Sequence, residues 1–175
     1  MADNCTTSKN RRVKVDILKL MEDHEVITPA NKNELIVEFH GPAGTPYAGG
    51  IWMILLTLPA NYPFQSPSIG FMNRVYHPNI DLQSGSVCLD VINQKWSPLF
   101  NLSNIFDSFL PLLLSYPEPE DPLNANAAAL FINDREKFDE VVRSHVAQYA
   151  DRASARKMIS FQSNVSEDSS SDLSE

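Results

Sequence analysis

Cysteine is scarce in this chain: of 175 residues only Cys5 and Cys88 carry a thiol. Cys5 sits in a polar end, so a structural disulfide between the two is not expected, and two lone thiols form no framework in a reducing compartment. Neither has a second cysteine or a nearby histidine to complete a zinc set, so no metal and no cofactor is expected. Long apolar runs are missing as well. Nothing approaches the ~20 residues of a membrane span, and Met1–Arg12 has no apolar stretch after its charges, which speaks against a secretory signal. The expectation is a cytoplasmic and/or nuclear protein without a membrane partner. Basic charge is in deficit too, and a net charge of −8 argues against direct nucleic-acid binding.

What is present suits one globular domain with a tail. The hydrophobic fraction of 43% is ordinary for a packed core, and two full cores would be crowded at this length. Against the acidic balance, Lys9, Arg11, Arg12, Lys14 and Lys19 gather near the start. They read either as a solvated helix face or as a docking surface for an acidic partner.

The pattern along the chain is α+β. Residues 1–10 are polar and expected to be disordered. From Arg11, Val13, Ile17, Leu20, Met21 and His24 recur at helical spacing and predict one core-facing stripe. Runs rich in β-formers follow at 34–40, 51–58 and 68–72, punctuated by Gly41-Pro42, Gly49-Gly50 and Pro59, with a weaker edge strand expected around 25–29. Tight links between consecutive strands indicate an antiparallel meander. Residues 73–103 show no long period, and an irregular segment of that length inside a compact domain points to function. Helices return at 102–115, with Ser103 as the expected N-cap and burial nearly all round, then at 124–131 and at 134–149 with Asp134 as cap. Residues 151–175 are expected to be an acidic, serine-rich tail, partly disordered. From Ser163 to Glu175 there are six serines, four acidic residues and no basic one.

Five short pieces stand in order: Tyr62-Pro63-Phe64, His77-Pro78-Asn79, Cys88-Leu89-Asp90, Trp96-Ser97-Pro98 and Asp121-Pro122-Leu123. Each alone is weak. Together, across residues 11–150, they resemble the ubiquitin-conjugating enzyme family, and the acidic tail resembles that of its H-type branch. Cys88 follows His77 by eleven residues, one more than in many relatives, and the extra residue lies in 80–86. The resemblance implies the UBC fold: an N-terminal helix, a four-stranded antiparallel meander, an irregular active-site segment and C-terminal helices, with 11–150 as catalytic core.

It also implies the chemistry. Cys88 would accept ubiquitin as a thioester and pass it to a substrate lysine; sulfur both attacks and leaves readily. The bland alternative is a buried apolar thiol. Asn79 would stabilise the oxyanion of the attacked carbonyl or tie the loop together through its side chain. Asp121, and Asp90 with it, would orient the lysine or take its proton; either could instead be a cap or loop anchor. His77 belongs to the same set in a structural role, since spacing gives no catalytic dyad. Phe64, Pro98 and Leu99 would form an exposed apolar patch for a RING-type ubiquitin ligase, the H-type branch implying a large multi-subunit one. Leu99 stands where many relatives have alanine. Arg11, Arg12 and Lys14 would meet the activating enzyme. Trp96 reads as a packing residue. Histones are the substrates the branch suggests, with the tail and Ser169–Ser171 as modulators. The competing readings are a conjugating enzyme for another ubiquitin-like modifier, against which the acidic chain and Asp90 speak, and a non-catalytic ubiquitin-binding module, against which Cys88 speaks.

Overall fold

The computed structural model describes residues 3–168, with side chains described from residue 10 to residue 160. In chain order it contains α1 (Asp3–Asp23), β1 (Val26–Ile27), β2 (Glu34–His40), β3 (Ile51–Thr57), β4 (Ser68–Phe71), α2 (Leu89–Lys95), α3 (Leu102–Asn104), a π-helical turn (Ile105–Phe109), α4 (Leu110–Ser115), α5 (Ala125–Asn133), α6 (Arg135–Tyr149) and α7 (Arg152–Asp168). The expected α+β architecture is present.

The four strands form an antiparallel meander in the order β1-β2-β3-β4, with Val37 opposite Ile54 and Phe39 opposite Trp52. The two-residue period of a strand sorts side chains onto two faces. Leu35, Val37 and Phe39 of β2 and Trp52, Ile54 and Leu56 of β3 join the main core, which the helices cover. Leu20 of α1 is fully buried there, and Val13, Ile17 and His24 lie on the same side. Met21, counted in that stripe from its spacing, is instead 42% exposed.

The helix starts earlier than expected. α1 begins at Asp3, so the disorder expected for residues 1–10 does not describe residues 3–10. A helix nucleated by the packed stripe can extend cheaply through adjoining polar residues, since each added residue gains a hydrogen bond for one residue fixed.

Two further differences concern the middle of the chain. The irregular segment contains α2, too short to show a period. The helix after it is capped by Asn101, which bonds Asn104 reciprocally in a capping box, and not by Ser103. It is also not buried all round, because Leu112 is 57% exposed. Its π turn gives way to α4 at Leu110-Pro111; proline there has no N–H for the carbonyl four residues back.

The outer face of the sheet is covered as well. Ile36 and Met53 are buried beneath Ala155 of α7, with Ile51, Leu55, Met72 and Ile159 around them. The α6–α7 junction is pinned by Ile51 N–H to the Ala150 carbonyl, 2.8 Å, and by Asn73, whose side-chain nitrogen reaches the carbonyls of Ile51 and Tyr149, each at 2.9 Å. Glu38 Oε1 accepts from His40 at 2.9 Å and from Arg152 at 3.3 Å, and Arg156 faces Glu25 at 3.6 Å. Within the tail expected to be partly disordered, residues 152–168 are a helix; residues 169–175, with the serines 169–171, lie outside the described residues. Ala155 and Ile159, four apart, supply the apolar contact that serine-rich composition concealed.

This seam is incompletely filled. A cavity of about 280 Å³ remains among residues including Glu25, Ile27, Met53 and Arg156, and Glu38 Oε2 is buried without a hydrogen-bond partner among the described residues. A carboxylate at position 155 would meet apolar groups and the already crowded charge of Glu38. Ala155→Asp should detach α7 while the inner core stays folded. The expected signature is amide exchange about a hundredfold faster over 152–160, roughly 3 kcal/mol of local stability, with β2 and β3 still protected. Equal loosening of all three would show that α7 is part of the single cooperative core.

Candidate active site

The site is built around the turn His77-Pro78-Asn79. His77 is fully buried. Its Nδ1 accepts the Asn79 backbone N–H at 3.0 Å, and its Nε2 lies 2.8 Å from the Leu113 carbonyl on α4. A carbonyl can only accept and a backbone N–H can only donate, so the ring is the neutral tautomer with its proton on Nε2. Burial lowers its pKa to about 4, against a smaller upward pull from the Leu113 carbonyl.

Three more links radiate from this turn. The Asn79 side chain clamps the backbone of Glu118, its nitrogen donating to the Glu118 carbonyl at 2.6 Å and its oxygen accepting the Glu118 N–H at 2.8 Å. The Pro78 carbonyl accepts from the N–H groups of Leu123 and Asn124 at 2.9 and 3.0 Å, and the Asn79 carbonyl accepts the Cys88 N–H at 3.0 Å. One turn thus holds both the cysteine and the loop between α4 and α5.

Cys88 occupies the N-cap position of α2, its carbonyl accepting the Ile92 N–H at 3.1 Å. The chain reaches it along a short extension of the sheet, with Val87 N–H on the Ile69 carbonyl at 2.9 Å and Phe71 N–H on the Gly85 carbonyl at 2.8 Å. Gly85 has φ +73°, and a Cβ there would stand 1.9 Å from the Phe71 carbonyl oxygen, so only glycine fits. The thiol packs on the main core and Cys88 is 9% exposed, while Leu89 and Asp90 beside it are exposed.

Asp121 is exposed and lies between the two gripped points of the loop, Glu118 and Leu123. Among the described residues its carboxylate makes no recorded hydrogen bond or ion pair, and α5 is capped by Asn124 instead. Asp90 sits in the first turn of α2 without capping it. Both carboxylates are therefore unspent on local structure. Asn79, by contrast, is fully buried and committed to Glu118.

The apolar candidates lie on two neighbouring loops. Phe64 is 72% and Leu99 93% exposed, and Pro98 is exposed as well. Trp96 is partly buried, its indole N–H donating to the Pro63 carbonyl at 2.9 Å, as its reading as a packing residue expects. On α1, Arg11 and Lys14 face solvent, whereas Arg12 turns inward to Asp16 at 2.7 Å. Asp16, Asn73 and Glu118 carry much of this wiring and were not singled out as site residues by sequence. Their only signal is position: a polar residue on an apolar face, or a backbone group.

The model of the family described as "Ubiquitin-conjugating enzyme" matches residues 6–146. The chain belongs to the ubiquitin-conjugating enzyme family. It is 46% identical to "Ubiquitin-conjugating enzyme E2 5" of Arabidopsis thaliana over 164 residues, covering 93% of this chain and 89% of that one. It is 44% identical to "Ubiquitin-conjugating enzyme E2-24 kDa" of Saccharomyces cerevisiae over 167 residues, covering 94% and 76%. Among solved structures, an E2 domain of a ubiquitin conjugating enzyme from Toxoplasma gondii superposes with a TM-score of 0.72 at 26% identity, covering 81% of this chain and 99% of that one. Members of the family are transferases. No helix among the described residues is long and apolar enough to cross a membrane.

The buried imidazole couples this site to pH. The unfolded chain takes up a proton near 6.5 that the folded His77 refuses until about 4, so folding stability from this group is complete above 6.5 and falls as pH drops. The loss across the window is about 3 kcal/mol. Urea unfolding at pH 7 and pH 5 should give a lower midpoint at pH 5, and His77→Gln should flatten that difference. An unchanged slope in the variant would assign the pH dependence elsewhere.

Proposed function

We propose that Cys88 carries ubiquitin as a thioester and transfers it to a substrate lysine, usually with a ubiquitin ligase. The reading rests most on one observation: the Pro78–Asn79 turn holds the cysteine and the Asp121 loop together. In the first step the Cys88 thiolate attacks the thioester carbonyl on the activating enzyme. A new C–S bond forms, the old one breaks, and the enzyme's thiolate leaves. In the second, a lysine amine attacks the acyl carbon, the C–N bond forms, Cys88 leaves as thiolate and the amine gives up a proton.

That proton is the larger obstacle. A lysine of pKa ~10.4 is neutral in about one molecule per thousand at neutral pH, a cost of roughly 4 kcal/mol. Asp121, exposed on a braced loop and unpaired among the described residues, is suited to orient the ammonium and accept its proton as the C–N bond forms. Asp90, on the exposed first turn of α2, can assist. Asn79 acts chiefly as the tie between turn and loop. One of its two amide N–H groups is spent on Glu118, and the second can serve an oxyanion only once the covering groups move.

Docking follows the same logic. Phe64, Pro98 and Leu99 present apolar surface that suits a RING-type ligase, and Leu99, bulkier than alanine, narrows the choice. Arg11 and Lys14 suit an acidic surface on the activating enzyme. Cytosol and nucleus are the compartments, and histones the substrates, that this reading favours.

Mixing the pure protein with activating enzyme, ATP and ubiquitin should yield a DTT-sensitive adduct that Cys88→Ser cannot form. Persistence of that adduct in the variant would end the assignment. In single-turnover discharge to free lysine, Asp121→Asn should charge normally yet transfer about tenfold more slowly at pH 7, the equivalent of 1.4 kcal/mol. The deficit should shrink at pH 9, where more lysine is already neutral. A deficit unchanged by pH would limit Asp121 to orientation.

A further inference from the structure

Phe64 and Leu99 stand on different loops, and a partner that binds both needs their spacing fixed. The structure contains a closed circuit of contacts that does this, centred on a residue with no catalytic contact. Asp16 of α1 is 2% exposed. Its Oδ2 accepts from Arg12 Nε at 2.7 Å, four residues back on the same helix, and from the Tyr62 hydroxyl at 2.5 Å. Arg12 Nη2 in turn donates to the Phe100 carbonyl at 2.8 Å.

The other half of the circuit runs through Trp96. Its indole N–H donates to the Pro63 carbonyl at 2.9 Å, and its ring lies 5.8 Å from that of Tyr62 and 6.2 Å from that of Phe100. Following the contacts leads from Asp16 to Tyr62, to Trp96, to Phe100, to Arg12 and back. Phe64 is two residues beyond Tyr62, and Leu99 directly precedes Phe100.

Charge makes the circuit directional. A carboxylate removed from water is costly unless paired, and an apolar side chain at such a position is often as stable or more so. A simple packing role does not require an acid here. What the acid supplies is a fixed heading for the guanidinium: held by Nε, the planar fork of Arg12 points Nη2 at the Phe100 carbonyl. The pairing holds the Arg12 guanidinium more firmly protonated than usual, and burial, then the bond to Asp16, pushes the Tyr62 hydroxyl far up, so it stays a donor.

We infer that Asp16 is a positioning residue for ligase docking, acting through Arg12 and Tyr62 to set the spacing of Phe64 and Leu99. The inference rests on the reading of Phe64, Pro98 and Leu99 as the ligase surface. It adds that α1 and that surface form one mechanical unit, so that a ligand pressing on the basic face of α1 can alter ligase affinity through Arg12.

The test uses the full chain and an isolated RING domain chosen because it binds the wild-type protein. Asp16→Asn keeps the shape and an acceptor for Tyr62 but removes the charge that aims Arg12. The RING Kd should weaken about tenfold, as for loss of a charge-assisted hydrogen bond. Trp96 fluorescence should shift to the red as its loop loosens, and Cys88 charging should stay within about twofold, because no reacting atom is touched. Asp16→Glu, which restores the carboxylate, should recover part of the affinity. Unchanged RING binding in Asp16→Asn overturns the inference, as does an equal loss of charging, which would indicate general damage. Leu99→Asp separates the two readings. If it leaves RING affinity intact, the docking surface lies elsewhere and the positioning role falls with it. If it abolishes binding while Asp16→Asn does not, only the positioning role falls.

Discussion

A buried turn made of polar groups constrains everything else in this protein. His77, Pro78 and Asn79 bring imidazole, amide and carbonyl groups into an interior where an unpaired polar group costs on the order of 1–3 kcal/mol. Each group named above is paired, and each pairing fastens a different segment: α4 through His77, the Glu118 and Leu123–Asn124 backbone through Asn79 and Pro78, and Cys88 through the Asn79 carbonyl. The segments therefore cannot shift independently. Moving the Asp121 loop breaks the clamp on Glu118, and breaking that clamp frees the residue whose carbonyl holds Cys88. A cysteine and a carboxylate far apart in sequence are kept in fixed relation by the hydrogen-bond demands of three residues.

The same principle explains what could be read from sequence. Strands β2 to β4 were legible because β-formers run between glycine and proline punctuation, and α6 because Asp134 sits before an amphipathic run. Both signals are local. Of the residues expected to act, His77 and Asn79 lie on one turn, and that turn also fastens Cys88 and the loop that carries Asp121. What sequence concealed depends on contacts across the chain. α2 is too short to show a period, and α1 extends upstream through residues with no stripe of their own. Among the described residues α7 offers the sheet the apolar pair Ala155 and Ile159, four apart, beside the contacts of Arg152 and Arg156, inside a segment whose overall composition resembles a soluble tail. Asp16 is the clearest case: an acid on an apolar helix face reads as a flaw in the stripe until Tyr62 and Arg12 are seen on either side. The apolar run 51–56 hinted at α7, since a strand with both faces apolar needs cover on both.

The π turn shows how geometry near the site follows from one residue. Pro111 cannot supply the N–H that an α-helix needs at that point, and the helix passes through a wider turn just before it. Ser108 Oγ, bonded to the Asn104 carbonyl at 2.9 Å, adds a donor there. Leu113, one turn on, still presents the carbonyl that His77 requires. The irregularity is thus absorbed before the helix reaches the part that braces the site.

The fate of His77 decides what kind of catalysis is left to this chain. With Nδ1 filled by the Asn79 N–H and the Nε2 proton given to Leu113, the imidazole has neither a free lone pair nor a path to solvent, and burial keeps it neutral to about pH 4. It cannot serve as general base for Cys88, although it stands beside Cys88's own anchor. On the proposed reading the thiol needs little help, because exchanging one thioester for another is nearly balanced and sulfur is a good leaving group in both directions. The demand on that reading falls on the second step, where the amine must lose its proton, and it is met by carboxylates with no hydrogen bond or ion pair among the described residues, on a braced loop and on the first turn of α2. On that reading, a histidine spent on architecture and acids left unspent at the surface are two sides of one arrangement: the interior fixes positions, and proton transfer is left to groups the substrate can reach.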